Sequence, residues 1–176
     1  ISLLNSKSKV VTRPYGNEWY PGELDNNEKF TAIGLISLDG AITLSGGQSS
    51  VGMEQLSSMM LRMSQDERIT SFIILTNSGG GSSAAVQVMK DTINEVKQTK
   101  PVYALIKKGG MAASAAYGII SSATKIYSAS KMNIVGSLGT MIEFSGRVAN
   151  SESKDGEKHV RLYATKSVSK NKAFED

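Results

Sequence analysis

The stretch from residue 69 to 114, "ITSFIILTNSGGGSSAAVQVMKDTINEVKQTKPVYALIKKGGMAAS", decides the fold. Its first eight residues are a β-branched run suited to a strand buried on both faces. A glycine turn follows, then a helix over 82–98, a strand over 102–106 after Pro101, and a second glycine turn. Beyond it the spacing predicts a helix over 111–123 and a short strand over 125–128. Strict alternation of strand and helix implies right-handed βαβ crossovers and a mostly parallel sheet, so the fold class is α/β.

Working outward, "TAIGLISL" (31–38) reads as a strand, turned at Asp39-Gly40 into a short strand over 41–45. "MEQLSSMMLRMSQDE" (53–67) sets Leu56, Met59, Met60 and Met63 at helical spacing, a stripe that belongs in a core. Towards the end come a strand near 139–144, a polar loop over 145–158 expected to be flexible, and a strand over 159–164. Residues 1–29 are polar and punctuated by Pro14, Gly16, Pro21 and Gly22. They are expected to form an arm docked through Trp19 and Tyr20, with one domain over 30–176.

Composition narrows the function. A chain of 176 residues suffices for one domain that buries about 70% of its unfolded surface. With no cysteine there is no disulfide, no thiolate nucleophile and no thiolate metal site. The single histidine, His159, lies in the charged stretch "KDGEKHVR" and is expected to be an ordinary surface residue. The net charge of +4 comes from scattered lysines and aromatics make up only 6%, which argues against a nucleic-acid partner. No apolar run reaches the ~18 residues of a membrane span, and no signal-peptide pattern opens the chain. The start at Ile1 and the ending "NKAFED", which resembles an interrupted helix, suggest a piece of a longer protein whose anchor or further domain was removed.

The two glycine turns, "TNSGGGSS" (76–83) and "KKGGMAAS" (107–114), each follow a strand. In a parallel sheet both emerge at the carboxyl edge, where open α/β folds bind ligands. The first turn is either a loop before a helix capped by Ser82 or Ser83, or a set of backbone N–H groups ready for an oxyanion. It lacks the lysine and hydroxyl of a phosphate-binding loop and the spacing of a dinucleotide fingerprint. The second turn is expected to place Ser114 in the first turn of a helix, between Ala112, Ala113, Ala115 and Ala116. Small neighbours let a helix pack closely, and equally let an extended peptide reach a serine nucleophile. In that second case the N–H of Ala115 and that of Gly80 or Gly81 form a two-donor oxyanion hole. A serine needs a base. With histidine set aside, lysine is the candidate, and desolvation must lower its pKa from about 10.4 to roughly 7–8. The tail "YATKSVSKNK" offers Lys166, Lys170 and Lys172.

"NSGGGSS" followed by "KPVYALIKKGGMAASAAYGIISSATKIYSASKMNIVGSLGTM" resembles the signal peptide peptidase A family of serine proteases. These are relatives of the Clp protease and crotonase fold, and the family includes phage prohead proteases. The resemblance spans about residues 31–172. It implies a Clp protease/crotonase-like α/β fold and a cofactor-free, metal-free Ser-Lys dyad with Ser114 as nucleophile on "AAS". Gly79 replaces the family's proline, which leaves Gly80 and Gly81 for the oxyanion role, and Ala115 and Ala116 replace the usual glycines after the nucleophile. The family's base lies a little over fifty residues on, in a "Ser-Gly-x-x-Lys" segment. Lys166 stands 52 and Lys170 stands 56 residues after Ser114. "SVSK" (167–170) favours Lys170, with Lys166 and then Lys172 behind.

The resemblance further implies peptide or protein substrates and a homo-oligomeric ring or dome. The expected substrates are scaffold or capsid protein in a host cytoplasm, or residual signal peptides and membrane-protein fragments if an anchor holds the chain at a membrane. Two alternatives stand beside it: a crotonase-like acyl-CoA enzyme, and an inactive scaffold in which Ser114 is a packing device.

Overall fold

The computed structural model describes residues 8–11, 31–147, 157–167 and 170. The chain divides into two compact units, Ile1–Gly136 and Ser137–Asp176.

In the first unit, strands β1 (Ser8–Val11), β2 (Thr31–Asp39), β5 (Ile69–Asn77), β6 (Val102–Ile106) and β8 (Lys125–Ser128) form a five-stranded sheet in the order β1-β2-β5-β6-β8. Every pairing in it is parallel, as the alternation of elements requires. The β-branched run at 69–76 takes the central position, where Phe72 and Ile74 are fully buried. Helix α1 (Met53–Ser64) buries Met53, Leu56, Met59, Met60 and Met63, so the methionine stripe is core. Helix α2 (Ser83–Val96) buries Met89, Ile93 and Val96 and is tied to α1 by a Ser57 Oγ–Thr92 Oγ1 hydrogen bond of 2.6 Å. No helix among the described residues is long and apolar enough to cross a membrane.

Three expectations change. Asp39-Gly40 does turn the chain, but β3 (Ala41–Thr43) does not return along β2. Both edges of β2 are already occupied by β1 and β5, so β3 pairs in parallel with β4 (Ser50–Gly52) and bridges through Ile42 to Gly81. Within the expected arm, Ser8–Val11 is an added strand of the main sheet, while Trp19 and Tyr20 lie outside the described residues. The stretch expected to be a loop over 145–158 is partly strand. In the second unit β10 (Met141–Arg147) pairs antiparallel with β11 (Glu157–Tyr163) down to Arg147↔Glu157. Glu143 and Arg161 face each other across this ribbon at 2.8 Å. The backbone of His159 pairs with Ser145 in this ribbon.

Candidate active site

Strands β5 and β6 are adjacent and in register at Thr76↔Ile106, so the two glycine turns leave the carboxyl edge side by side. The second turn departs from expectation. Met111–Ala113 is a strand, β7, because its backbone is claimed from both sides. Ser78 N–H donates to Met111 C=O (2.8 Å) and Ala113 N–H to Ser78 C=O (3.0 Å), while β9 (Ile134–Gly136) pairs in parallel with the other edge. Alanine's helix propensity, a few tenths of a kcal/mol per residue over most others, does not outweigh two ladders. The helix, α3, therefore begins only at Ala115 and ends at Ile120.

Ser114 is the cap of that helix rather than part of its first turn. It has φ 54° and ψ −121°, and its N–H donates to Gly136 C=O at 2.8 Å. A serine held at positive φ costs of order 1–3 kcal/mol and persists only where the surroundings over-determine it. Here β7 fixes one side of the corner and α3 the other. A sharp strand-to-helix corner of this kind lifts a side chain clear of the backbone ladder, as nucleophile elbows do. Ser114 is half-buried between buried Ala113 and Ala115.

The first turn presses against this corner. Gly80 has φ +105°, and a Cβ there would stand 2.7 Å from Ser114 Cβ, 2.9 Å from Ala113 O and 3.0 Å from Ala115 N. Only glycine permits that approach. Gly80 N–H is engaged, donating to Ser78 Oγ at 3.1 Å. Gly80 C=O accepts from Ile42 N–H at 3.0 Å. Because the next peptide is trans, Gly81 N–H points the opposite way, away from β3, and it makes no hydrogen bond to a described residue. Ala115 N–H, first in its helix, has no intrahelical acceptor. Of the two glycines suggested by sequence as donors, the geometry makes Gly81 the available one and Gly80 the residue of close approach. Neither Ser82 nor Ser83 caps α2 through its side chain; Ser82 holds the cap position with no side-chain hydrogen bond.

This predicts opposite outcomes for neighbouring glycines. A Cβ on Gly81 would fall 2.1 Å from Ile42 O, so Gly81→Ala should lose about 3 kcal/mol of stability on overpacking. Gly79 has ordinary contact distance to Met111 Sδ (3.5 Å) and is absent from the positive-φ residues. Gly79→Ala should therefore gain about 0.4–1 kcal/mol by restricting the unfolded chain. Thermal or urea denaturation of the two variants checks both.

In the second unit the tail lysines separate. Lys166 is exposed, Lys170 is 8% exposed, and Lys172 lies outside the described residues. Lys170 Nζ donates to Ser137 C=O at 2.7 Å and lies 3.4 Å from Ser137 Oγ. Its turn is built by Ser167. Ser167 N–H donates to Ala164 C=O (2.7 Å), and its own C=O accepts from Lys170 N–H (2.9 Å). Its hydroxyl accepts from Thr140 N–H at 3.0 Å, substituting for a backbone acceptor where the β10–β11 ladder ends. Gly139 makes room, since a Cβ there would meet Ser167 Cβ at 2.7 Å and Lys170 Cδ at 3.3 Å. The roles of Ser78, Ser137 and Ser167 were not read from sequence. All three lie inside quoted motifs, but a hydroxyl's partner is set by tertiary approach that spacing does not encode.

A parallel sheet whose carboxyl edge carries a glycine turn against a serine on a strand-to-helix corner defines the Clp protease/crotonase class of α/β fold. Over 128 residues, 70% of this chain, the sequence is 30% identical to Protease 4 of Haemophilus influenzae. The match spans only 20% of that protein's length. Among solved structures, a serine-to-alanine mutant of the 1510-N membrane-bound stomatin-specific protease superposes with TM-score 0.57 at 17% identity, over 78% of this chain and 57% of that one. A lysine-to-alanine mutant of the same protease, in complex with a substrate peptide, superposes with TM-score 0.52 at 18% identity, over 78% and 54%. At these identities the structural likeness is one of fold. No family model matches the chain. In sequence the chain is similar to Protease 4, and in fold it is similar to the stomatin-specific protease.

Proposed function

We propose that the protein is a cofactor-free serine endopeptidase that cleaves extended peptides with Ser114 as nucleophile, Lys170 as base, and Gly81 and Ala115 N–H as oxyanion donors. The observation that carries this reading is the strained Ser114 corner with Gly80 packed against it. Gly80 lies against Ser114 and Ala115 N, Gly81 N–H makes no hydrogen bond to a described residue, and Ala115 N–H has no intrahelical acceptor, which supports the roles given to them. The buried amine adds support. Lys170 is 8% exposed and its Nζ donates to Ser137 C=O at 2.7 Å. In the stomatin-specific protease the substituted residues are likewise a serine and a lysine.

In the proposed reaction Ser114 Oγ attacks the scissile carbonyl carbon while its proton passes to Lys170 Nζ. The carbonyl oxygen becomes an oxyanion held by the two N–H groups, each worth ~3 kcal/mol in such sites. Collapse breaks the C–N bond, and Lys170 returns the proton to the departing amine. Water then attacks the acyl-enzyme, giving its proton to Lys170, and Ser114 leaves as the alcohol. An extended substrate suits this edge because main-chain pairing supplies affinity without demanding one sequence. Assembly into a homo-oligomer belongs to the same reading, and the exposed Ile142, Val160 and Leu162 of the β10–β11 ribbon give it apolar surface.

The test is a fluorophosphonate probe on the full chain. Mass spectrometry is expected to map a single adduct to Ser114, and light scattering to show the labelled species as an oligomer. An unlabelled Ser114 in folded, assembled protein would remove the hydrolase reading, and a monomer carrying the adduct would remove the oligomer alone.

A further inference from the structure

Ser78 stands where both turns meet. It is 2% exposed, and all of its polar groups are used. Its N–H and C=O form the ladder with Met111 and Ala113, the last residues before Ser114. Its hydroxyl donates to Gly40 C=O at 2.5 Å and accepts from Gly80 N–H at 3.1 Å. The second of these bonds decides which amide faces the reaction. A peptide plane turns as a unit, and the turn carries successive N–H groups to different sides. By drawing Gly80 N–H inward, Ser78 Oγ fixes the segment in which Gly80 C=O reaches Ile42 and Gly81 N–H is left pointing outward.

We infer that Ser78 is a positioning residue for catalysis: its hydroxyl selects Gly81 N–H as the oxyanion donor and its backbone sets the strand that delivers Ser114. This rests on the serine-peptidase reading above. Without the hydroxyl, Gly80 N–H has no partner, Gly40 C=O loses its donor, and the three-glycine segment regains other orientations that are sterically cheap for glycine. A preorganised donor then becomes one that must be reoriented in each turnover.

The experiment is inactivation by the same fluorophosphonate, which also builds negative charge on an oxygen at the oxyanion position, resolved into its maximal rate and its half-saturating concentration. Ser78→Ala is expected to lower the maximal rate about 100-fold, the scale for an ångström of misplacement, with half-saturation unchanged. Ser78→Thr, which keeps the hydroxyl, is expected to recover most of that rate. A structural role alone would lower the melting temperature and leave the rate intact below it, so a folded Ser78→Ala within about twofold of wild type overturns the inference. Where the alanine variant does not fold, Ser78→Cys decides by the same criterion, because a thiol fills the space but accepts hydrogen bonds weakly. Failure of the wild type to label at Ser114 would instead strike the peptidase reading itself.

Discussion

Ser114→Ala is expected to abolish phosphonylation and to lower peptide hydrolysis by about 10⁴- to 10⁶-fold, the loss seen when a serine peptidase forfeits its nucleophile. The neighbouring Ser78 hydroxyl cannot stand in. The corner at φ 54° belongs to Ser114, and Ser78, beside it in the ladder, has its hydroxyl committed to Gly40 and Gly80. The residual rate should be above that in water, because the proposed donors at Gly81 and Ala115 are backbone and survive the substitution. Stability should not fall, and the expected change is small. Alanine at the same positive φ bears a penalty similar to serine's. A pronounced loss of melting temperature with activity still measurable would instead favour the packing role. Acyl-CoA turnover that survives Ser114→Ala would favour the crotonase-type alternative.

The sequence was most legible where the physics is local and repetitive. Val102–Ile106 and Lys125–Ser128 fall on the expected residues because short β-branched or aromatic runs between turn signals have few alternatives. The methionine stripe of α1 is likewise a one-dimensional pattern projected onto one face. What failed was non-local. "MAAS" reads as helix because alanine prefers it, yet Met111–Ala113 is extended because Ser78 and β9 occupy its two edges. The turn at Asp39-Gly40 suggested a return along β2, but whether a return is possible depends on which neighbours β2 already has. At the site, the sequence offered Gly80 and Gly81 as N–H donors, and the structure sets Gly80 against Ser114 and Gly81 against Ile42. Which of the two N–H groups is spare could not be counted from spacing, since it depends on where one buried hydroxyl points.

Lys170 and Lys166 lie four residues apart, and exchanging each for alanine is expected to separate them sharply. Lys170→Ala should lower the phosphonylation rate and peptide hydrolysis by about 10²- to 10⁴-fold, the usual contribution of a general base. Lys166→Ala should stay within about twofold of wild type, because Lys166 is exposed and substitutions on the surface away from special features have small effects. The physical ground is burial with a chosen partner. A lysine is among the residues least often found fully buried, and Lys170 reaches 8% exposure with its amine on the Ser137 carbonyl. That carbonyl comes from a serine at φ 51°, so strain at Ser137 accompanies the amine's placement. A site evolved only for stability would sooner fill this space with an apolar side chain, since an ionised group there must first be desolvated. Two further variants separate chemistry from structure. Lys170→Met keeps the buried stem without the amine and should be as inactive as the alanine variant while melting at or above the wild-type temperature. Methylamine added to Lys170→Ala should restore part of the lost rate, by entering the space that the side chain vacates. A Lys170→Met variant that hydrolyses peptide at the wild-type rate would move the base elsewhere, with Lys172 the next to be substituted.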